Sequence, residues 1–90
     1  MPRLPEEQID GRLSELSGWQ RDGQAIRKTY TFPDFKGSMA FVVKVALAAE
    51  RMDHHPDILV SYSKVTLTLS SHDAGGLTDR DFTLAKTIDA

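Results

Sequence analysis

Between residues 65 and 70 the chain alternates strictly: Val65, Leu67 and Leu69 are aliphatic, while Thr66, Thr68 and Ser70 carry hydroxyls. Successive side chains of a strand point to opposite faces, so this segment fits a strand with one face covered and the other wet. Such strands belong to antiparallel sheets, because parallel strands are covered on both faces and read as continuous apolar runs. The expected strand runs from Val65 to Ser71. Ile58-Leu59-Val60 supplies a neighbour, with Ser63-Lys64 as the turn between them. A second hairpin lies upstream. Trp19 to Arg21 reads as a short strand and Asp22-Gly23 as a tight turn. The return strand spans Gln24 to Phe32, with Ile26, Tyr30 and Phe32 in period-two phase, and Pro33 stops it.

Helical patterns supply the cover. Pro5-Glu6-Glu7 opens the first, placing its acids near the positive end of the helix dipole. Ile9, Leu13 and Leu16 form its buried stripe, and Gly18 ends it. A longer helix runs from Phe35 to Asp53. Phe35, Met39, Val42, Ala46 and Ala49 make one stripe; Phe41, Val45, Ala48 and Met52 make a second beside it. An apolar arc so wide needs two partners, the sheet and another surface, and a second subunit is one source of that surface. This helix must end by His55, since a residue before proline is pushed out of the α region. Thr78 caps the last helix, which reaches Asp89. The order helix, two strands, helix, two strands, helix predicts an α+β domain: a four-stranded antiparallel sheet with three helices packed on one face. No repeat or linker divides the chain, so residues 1–90 are expected to form a single domain.

Composition narrows the function. The chain has 90 residues and no cysteine, which excludes disulfides, zinc–thiolate sites and cysteine nucleophiles. A domain so short buries only about two-thirds of its unfolded surface, and oligomerisation is a common remedy. Lys and Arg total 11 against 13 Asp and Glu, a net charge of −2 that offers nucleic acid and anionic membranes little attraction. No apolar run is longer than Val45 to Ala49, which is far below the ~20 residues that span a bilayer. The polar stretch Met1 to Asp10 reads as neither signal peptide nor anchor. The expectation is a cytoplasmic protein with no membrane partner and no direct nucleic-acid partner.

All three histidines stand at the ends of elements. His54 and His55 leave the long helix in Glu50-Arg51-Met52-Asp53-His54-His55-Pro56-Asp57, and His72 opens the loop His72-Asp73-Ala74-Gly75-Gly76. Functional groups concentrate at such positions. Pro56 restricts where the two neighbouring imidazoles point. Imidazole titrates near ~6.5, and carboxylates beside it fix its tautomer and raise its basicity. With Asp53, Asp57, Asp73 and Asp81 nearby in sequence, the set suits general acid–base chemistry. The plain alternative is three unrelated surface histidines. A zinc site is a rival, but adjacent His54 and His55 diverge and are not the i, i+4 pair of a helical metal motif. Nucleophilic serine catalysis lacks its G-x-S-x-G elbow, and Gly75-Gly76 reads as a turn rather than a phosphate loop.

Glu50-x-x-x-His54-His55-Pro56, then five residues to Tyr62, nine to His72 and eight to Asp81, resembles the signature of the pterin-4a-carbinolamine dehydratases. The similarity extends through Gly18-Trp19, Phe32-x-Asp34-Phe35, Val45-Ala46-Leu47-x-Ala49-Glu50, Lys64-Val65, Thr68-Leu69-Ser70 and Gly76-Leu77-Thr78-x-Arg80-Asp81. The resemblance implies the same α+β fold and a dehydration without metal or organic cofactor. Water leaves 4a-hydroxytetrahydrobiopterin, giving the quinonoid dihydropterin that recycles the cofactor of aromatic amino acid hydroxylases. It implies His54 and His72 as the acid–base pair and His55 chiefly as a pterin-binding group. Asp81 either orients a histidine or is merely a first-turn helix acid. Arg80 pairs with Asp53, contacts the pterin, or is ordinary surface charge. Glu50 meets His54 or is solvated, and Asp53 and Pro56 complete the substrate-binding set. Trp19 and Tyr62 read as packing residues. The family further implies a homodimer or homotetramer, and an alternative role as a dimerisation cofactor for a transcription factor.

Overall fold

In the computed structural model, which describes residues 2–90, the chain forms α1 (Glu6–Leu13), β1 (Gln20–Asp22), β2 (Ala25–Thr31), α2 (Phe35–Met52), β3 (Asp57–Ser61), β4 (Lys64–Leu69) and α3 (Asp79–Asp89). A single 3₁₀ turn, His72–Ala74, precedes α3. The strands make one antiparallel sheet in the order β1-β2-β4-β3. Register places Ile26 opposite Leu69, Tyr30 opposite Val65 and Ile58 opposite Leu67. One apolar layer results, and Arg27 and Thr29 line the open face. Val65, Leu67 and Leu69 are fully buried against Ile9, Val45, Leu77, Phe82 and Leu84, so the predicted alternation is what divides the sheet into a dry and a wet side.

Differences from the expected boundaries have local causes. α1 stops at Leu13 rather than near Gly18 because the Ser14 hydroxyl donates to the Gly11 carbonyl at 2.7 Å and the next amides tighten onto Arg12 and Leu13. Leu16 still packs on the core from that turn. Each hairpin turn shifts by one residue, to Gly23-Gln24 and Tyr62-Ser63, because Asp22 pairs with Ala25 and Ser61 with Lys64. Tyr62 is therefore not a packing residue: it sits in the turn at φ 50°, exposed. Trp19 does pack in the core.

α2 keeps its predicted start, where the Asp34 carboxylate accepts the Gly37 N–H at 2.8 Å. Its two apolar stripes fare differently. Phe41, Val45, Ala48 and Met52 face the core, joined there by Val42 and Ala49 of the other stripe, whereas Phe35 and Met39 of that stripe, with Val43 and Leu47 from neither, stay 38–60% exposed along the outer side.

Asp89 ties the end of α3 to the sheet, accepting hydrogen bonds from Trp19 Nε1 at 2.8 Å, Tyr30 Oη at 2.5 Å and Lys28 Nζ at 3.1 Å. Burial pushes its carboxyl pKa up, but these donors and the Lys28 charge outweigh burial and hold it below the ordinary value. Burial, followed by Asp89, raises the Tyr30 phenol. A depressed carboxyl pKa stabilises the fold above the unfolded value of ~3.9 and loses that contribution as pH falls through the folded value. Urea unfolding at pH 7 and pH 3 is expected to show a smaller acid loss for Asp89→Asn than for wild type. Equal losses would mean that the Asp89 cluster carries no linkage.

Candidate functional site

The site begins at the end of α2. Asp53 closes the helix in the left-handed region (φ 51°, ψ 45°), a conformation Asp tolerates better than most residues. The His54 N–H returns to the Ala49 carbonyl at 3.0 Å and the Asp53 N–H to that of Glu50 at 3.1 Å. This reversal sends consecutive imidazoles to different places. His54 turns inward and is 8% exposed, while His55 remains outside.

Arg80, on the first turn of α3, donates to the carbonyls of Met52 and Asp53, at 3.1 and 2.5 Å. A cation there satisfies orphan carbonyls at the negative end of α2. Arg80 thus meets the Asp53 backbone rather than its carboxylate. Glu50 also departs from expectation: its carboxylate takes the His55 ring Nε2, not His54, because the turn at Asp53 carries His54 beneath the helix. On the exposed surface such a pair contributes little.

Asp81 is fully buried and combines both roles weighed for it. As the third residue of α3 it closes a capping box: its Oδ2 accepts the Thr78 N–H at 3.0 Å, and Thr78 Oγ1 caps the helix. Its other oxygen, Oδ1, lies 2.6 Å from His54 Nε2. Ser71 Oγ donates to Asp81 Oδ2 at 2.9 Å. Helix cap and histidine support are therefore one carboxylate.

His72 enters from the opposite side on its 3₁₀ turn. The turn is pinned by reciprocal bonds between Ser71 and Gly76, 3.0 and 3.3 Å, and by the Leu4 N–H donating to the Leu77 carbonyl at 2.8 Å. A Cβ on Gly76 would lie 2.5 Å from Arg3 Cδ and 2.8 Å from Gln24 Oε1, so any larger residue must displace those two exposed side chains.

Together these elements shape a cleft of about 430 Å³ lined by Asp53, His54, His55, Ser70, Ser71, His72, Asp73 and Arg80. A neighbouring hollow of about 330 Å³ shares His55, Ser70 and His72 and extends to Gln24, Asp57 and Thr68. Both are in the range of small-molecule sites, ~300–1,000 Å³. Of the residues singled out in sequence, the three histidines, Asp53, Asp73 and Arg80 converge on the cleft, and Asp57 lines the neighbouring hollow. Asp81 backs His54, Glu50 acts on His55, and Pro56 lines neither hollow. Ser70, Ser71 and Thr78 were missed as site residues. Thr78-x-x-Asp81 is a legible capping pattern, but nothing local marks Ser71. Among the described residues no cluster of three or more His, Asp and Glu side chains is arranged to hold a metal ion. No helix there is long and apolar enough to cross a membrane.

The Pterin 4 alpha carbinolamine dehydratase family pattern matches residues 2–90. A provisionally named pterin-4-alpha-carbinolamine dehydratase of Roseiflexus sp. (strain RS-1) is 54% identical over 87 residues, 97% of this chain and 94% of that protein. One of the same provisional name from Sulfolobus acidocaldarius is 45% identical over 86 residues, 96% of this chain and 94% of the relative. The crystal structure of a transcriptional coactivator/pterin dehydratase from Brucella melitensis superposes with a TM-score of 0.92 at 35% identity, covering 97% of this chain and 95% of that one. With so nearly complete a match to the family pattern and to relatives of this identity, the chain belongs to the pterin-4-alpha-carbinolamine dehydratase family.

Proposed function

We propose that the chain, as one dehydratase domain acting in the cytoplasm, removes water from 4a-hydroxytetrahydropterins, the biopterin form among them. The product, quinonoid dihydropterin, would be returned to the cofactor cycle of an aromatic amino acid hydroxylase. The observation that carries this reading is the convergence of His54, His55 and His72 on one cleft, with His54 backed by a buried carboxylate. The C4a–O bond breaks as an imidazolium protonates the leaving hydroxyl, and a neutral imidazole takes the N5 proton. A C4a=N5 bond forms, and the only by-product is water. General acid–base assistance of this kind is worth ~10²–10⁴-fold.

His54 and His72 are the acid–base pair in this proposal. His55 binds the ring together with Asp53 and Arg80, while Glu50 orients His55 and Pro56 sets its direction. Asp81 positions His54. The test is dehydration of 4a-hydroxytetrahydropterin generated in situ by a hydroxylase, followed by absorbance with chelator-treated protein. Clear acceleration over the spontaneous rate is expected. Folded protein that gives none would overturn the dehydratase reading.

The outer side of α2 supports self-association into a homodimer or homotetramer. Phe35, Met39, Val43 and Leu47 recur every fourth residue and stay exposed, a continuous apolar stripe at helical spacing. Sedimentation is expected to show an oligomer that Leu47→Asp shifts towards monomer. A monomeric wild type would defeat this and leave the stripe to another partner, such as the transcription factor of the coactivator alternative.

A further inference from the structure

The buried side of His54 is more constrained than its acid–base role alone requires. Asp81 Oδ2 takes a backbone N–H from Thr78, which can only donate. An ionised carboxylate only accepts, so the Ser71 hydroxyl proton points to Asp81. Ser71 Oγ is also 2.8 Å from Thr78 Oγ1, and with its own proton committed it accepts there; Thr78 donates. Thr78 Oγ1 in turn accepts the Arg80 N–H at 3.3 Å. The chain of donors runs one way, from α3 through Thr78 and Ser71 to Asp81. Two donors meet Asp81 Oδ2 beside the positive end of α3. A carboxylate oxygen that accepts from His54 Nε2 at 2.6 Å requires a proton on that nitrogen.

The other nitrogen, Nδ1, has no hydrogen-bond partner among the described residues. No fully buried side-chain nitrogen or oxygen there lacks a partner, so Nδ1 is open to solvent, and the hollow that His54 lines is the cleft. We infer that His54 exchanges protons with substrate through Nδ1 alone, and that Ser71 and Thr78 are positioning residues that enforce this by fixing the polarity of Asp81. The proton-transfer half of this inference rests on the dehydratase reading; the tautomer does not. Asp53, His55, His72, Asp73 and Arg80 are the other charged or titratable groups around the cleft.

Long-range proton–nitrogen correlation spectra of the full chain labelled with ¹⁵N-histidine test the tautomer directly, with His55→Gln and His72→Gln used for assignment. Above the titration of His54, Nε2 is expected to carry the proton and Nδ1 the lone pair. A neutral His54 protonated on Nδ1 would overturn the inference, whatever the activity assays show. Ser71→Ala, tested for turnover, is expected to lower kcat about 10-fold with KM within about 2-fold of wild type. With one donor gone, more of the Asp81 charge falls on His54 and favours imidazolium. The acid limb of the kcat/KM profile then moves to higher pH. Thr78→Val is expected to act in the same direction, and Thr78→Ser to recover most of the loss. A folded Ser71→Ala protein with wild-type kcat and pH profile would sink the positioning role. If that variant does not fold, the wild-type spectrum decides. Loss of dehydratase activity in the wild type itself would refute the catalytic reading and leave the tautomer test intact.

Discussion

Asparagine in place of Asp81 is expected to leave the fold standing and to remove most of the dehydratase activity. Ser71 Oγ–H and the Thr78 N–H both donate to Asp81 Oδ2, so an amide at this position must turn its oxygen towards them. Its NH₂ then faces His54 Nε2, which becomes an acceptor, and the ring proton moves to Nδ1. The nitrogen that meets the cleft is thereby converted from base to donor. A wrong-tautomer histidine in a comparable carboxylate–imidazole pair costs about 10⁴-fold in turnover, and a loss of ~10²–10⁴-fold in kcat is expected here. The stability cost is only about 1–2 kcal/mol, because each hydrogen bond survives with its direction reversed or its charge removed. Steady-state kinetics and urea melts on one preparation check both halves. Near-wild-type kcat with an intact fold would show that His54 does not work through this pair.

His54→Ala and His72→Ala are each expected to reduce kcat by ~10²–10⁴-fold, yet to differ sharply in stability. Removing His54 takes a hydrogen-bond donor from the buried Asp81 carboxylate, a loss on the order of 1–3 kcal/mol. His72 is exposed on its 3₁₀ turn, and its truncation should fall within about 0.5 kcal/mol of wild type. The double variant is expected to be scarcely slower than the worse single one, since the two act as a unit. Full turnover in His72→Ala would remove it from the acid–base pair.

The parts legible in sequence were those fixed by neighbours along the chain. The alternation at 65–70 specified the covered face of β4, Pro56 marked the end of α2, and an apolar arc too wide for one partner foreshadowed an exposed stripe on α2, which runs through Val43 and Leu47 rather than the expected Val42, Ala46 and Ala49. The assembly of the histidines was legible only through the spaced signature. Periodicity could not say that Asp53 would adopt a left-handed conformation, and that choice is what sent Glu50 to His55 instead of His54. Ser71 and the Leu4–Leu77 contact were out of reach because they depend on the loop after β4 folding back against α3 and the N-terminal segment. Small polar residues of this sort carry no pattern until tertiary packing gives them a partner. The Asp89 cluster is similar: Trp19, Lys28 and Tyr30 come from two ends of one hairpin and converge on a residue about sixty positions away.

The left-handed turn at Asp53 also divides the freedom to vary. His55 lines the cleft and hydrogen-bonds only an exposed glutamate among the described residues, so a different ring, amide or hydroxyl there disturbs one surface contact of the fold while altering what meets the substrate. His54 is bound through a single carboxylate to a helix cap, a serine and a threonine, and replacing it unsettles four groups at once. For the stability of the fold, two residues joined by one peptide bond therefore stand at opposite ends of mutational tolerance. Substrate preference can be retuned at the outer imidazole while the inner one remains locked to the scaffold.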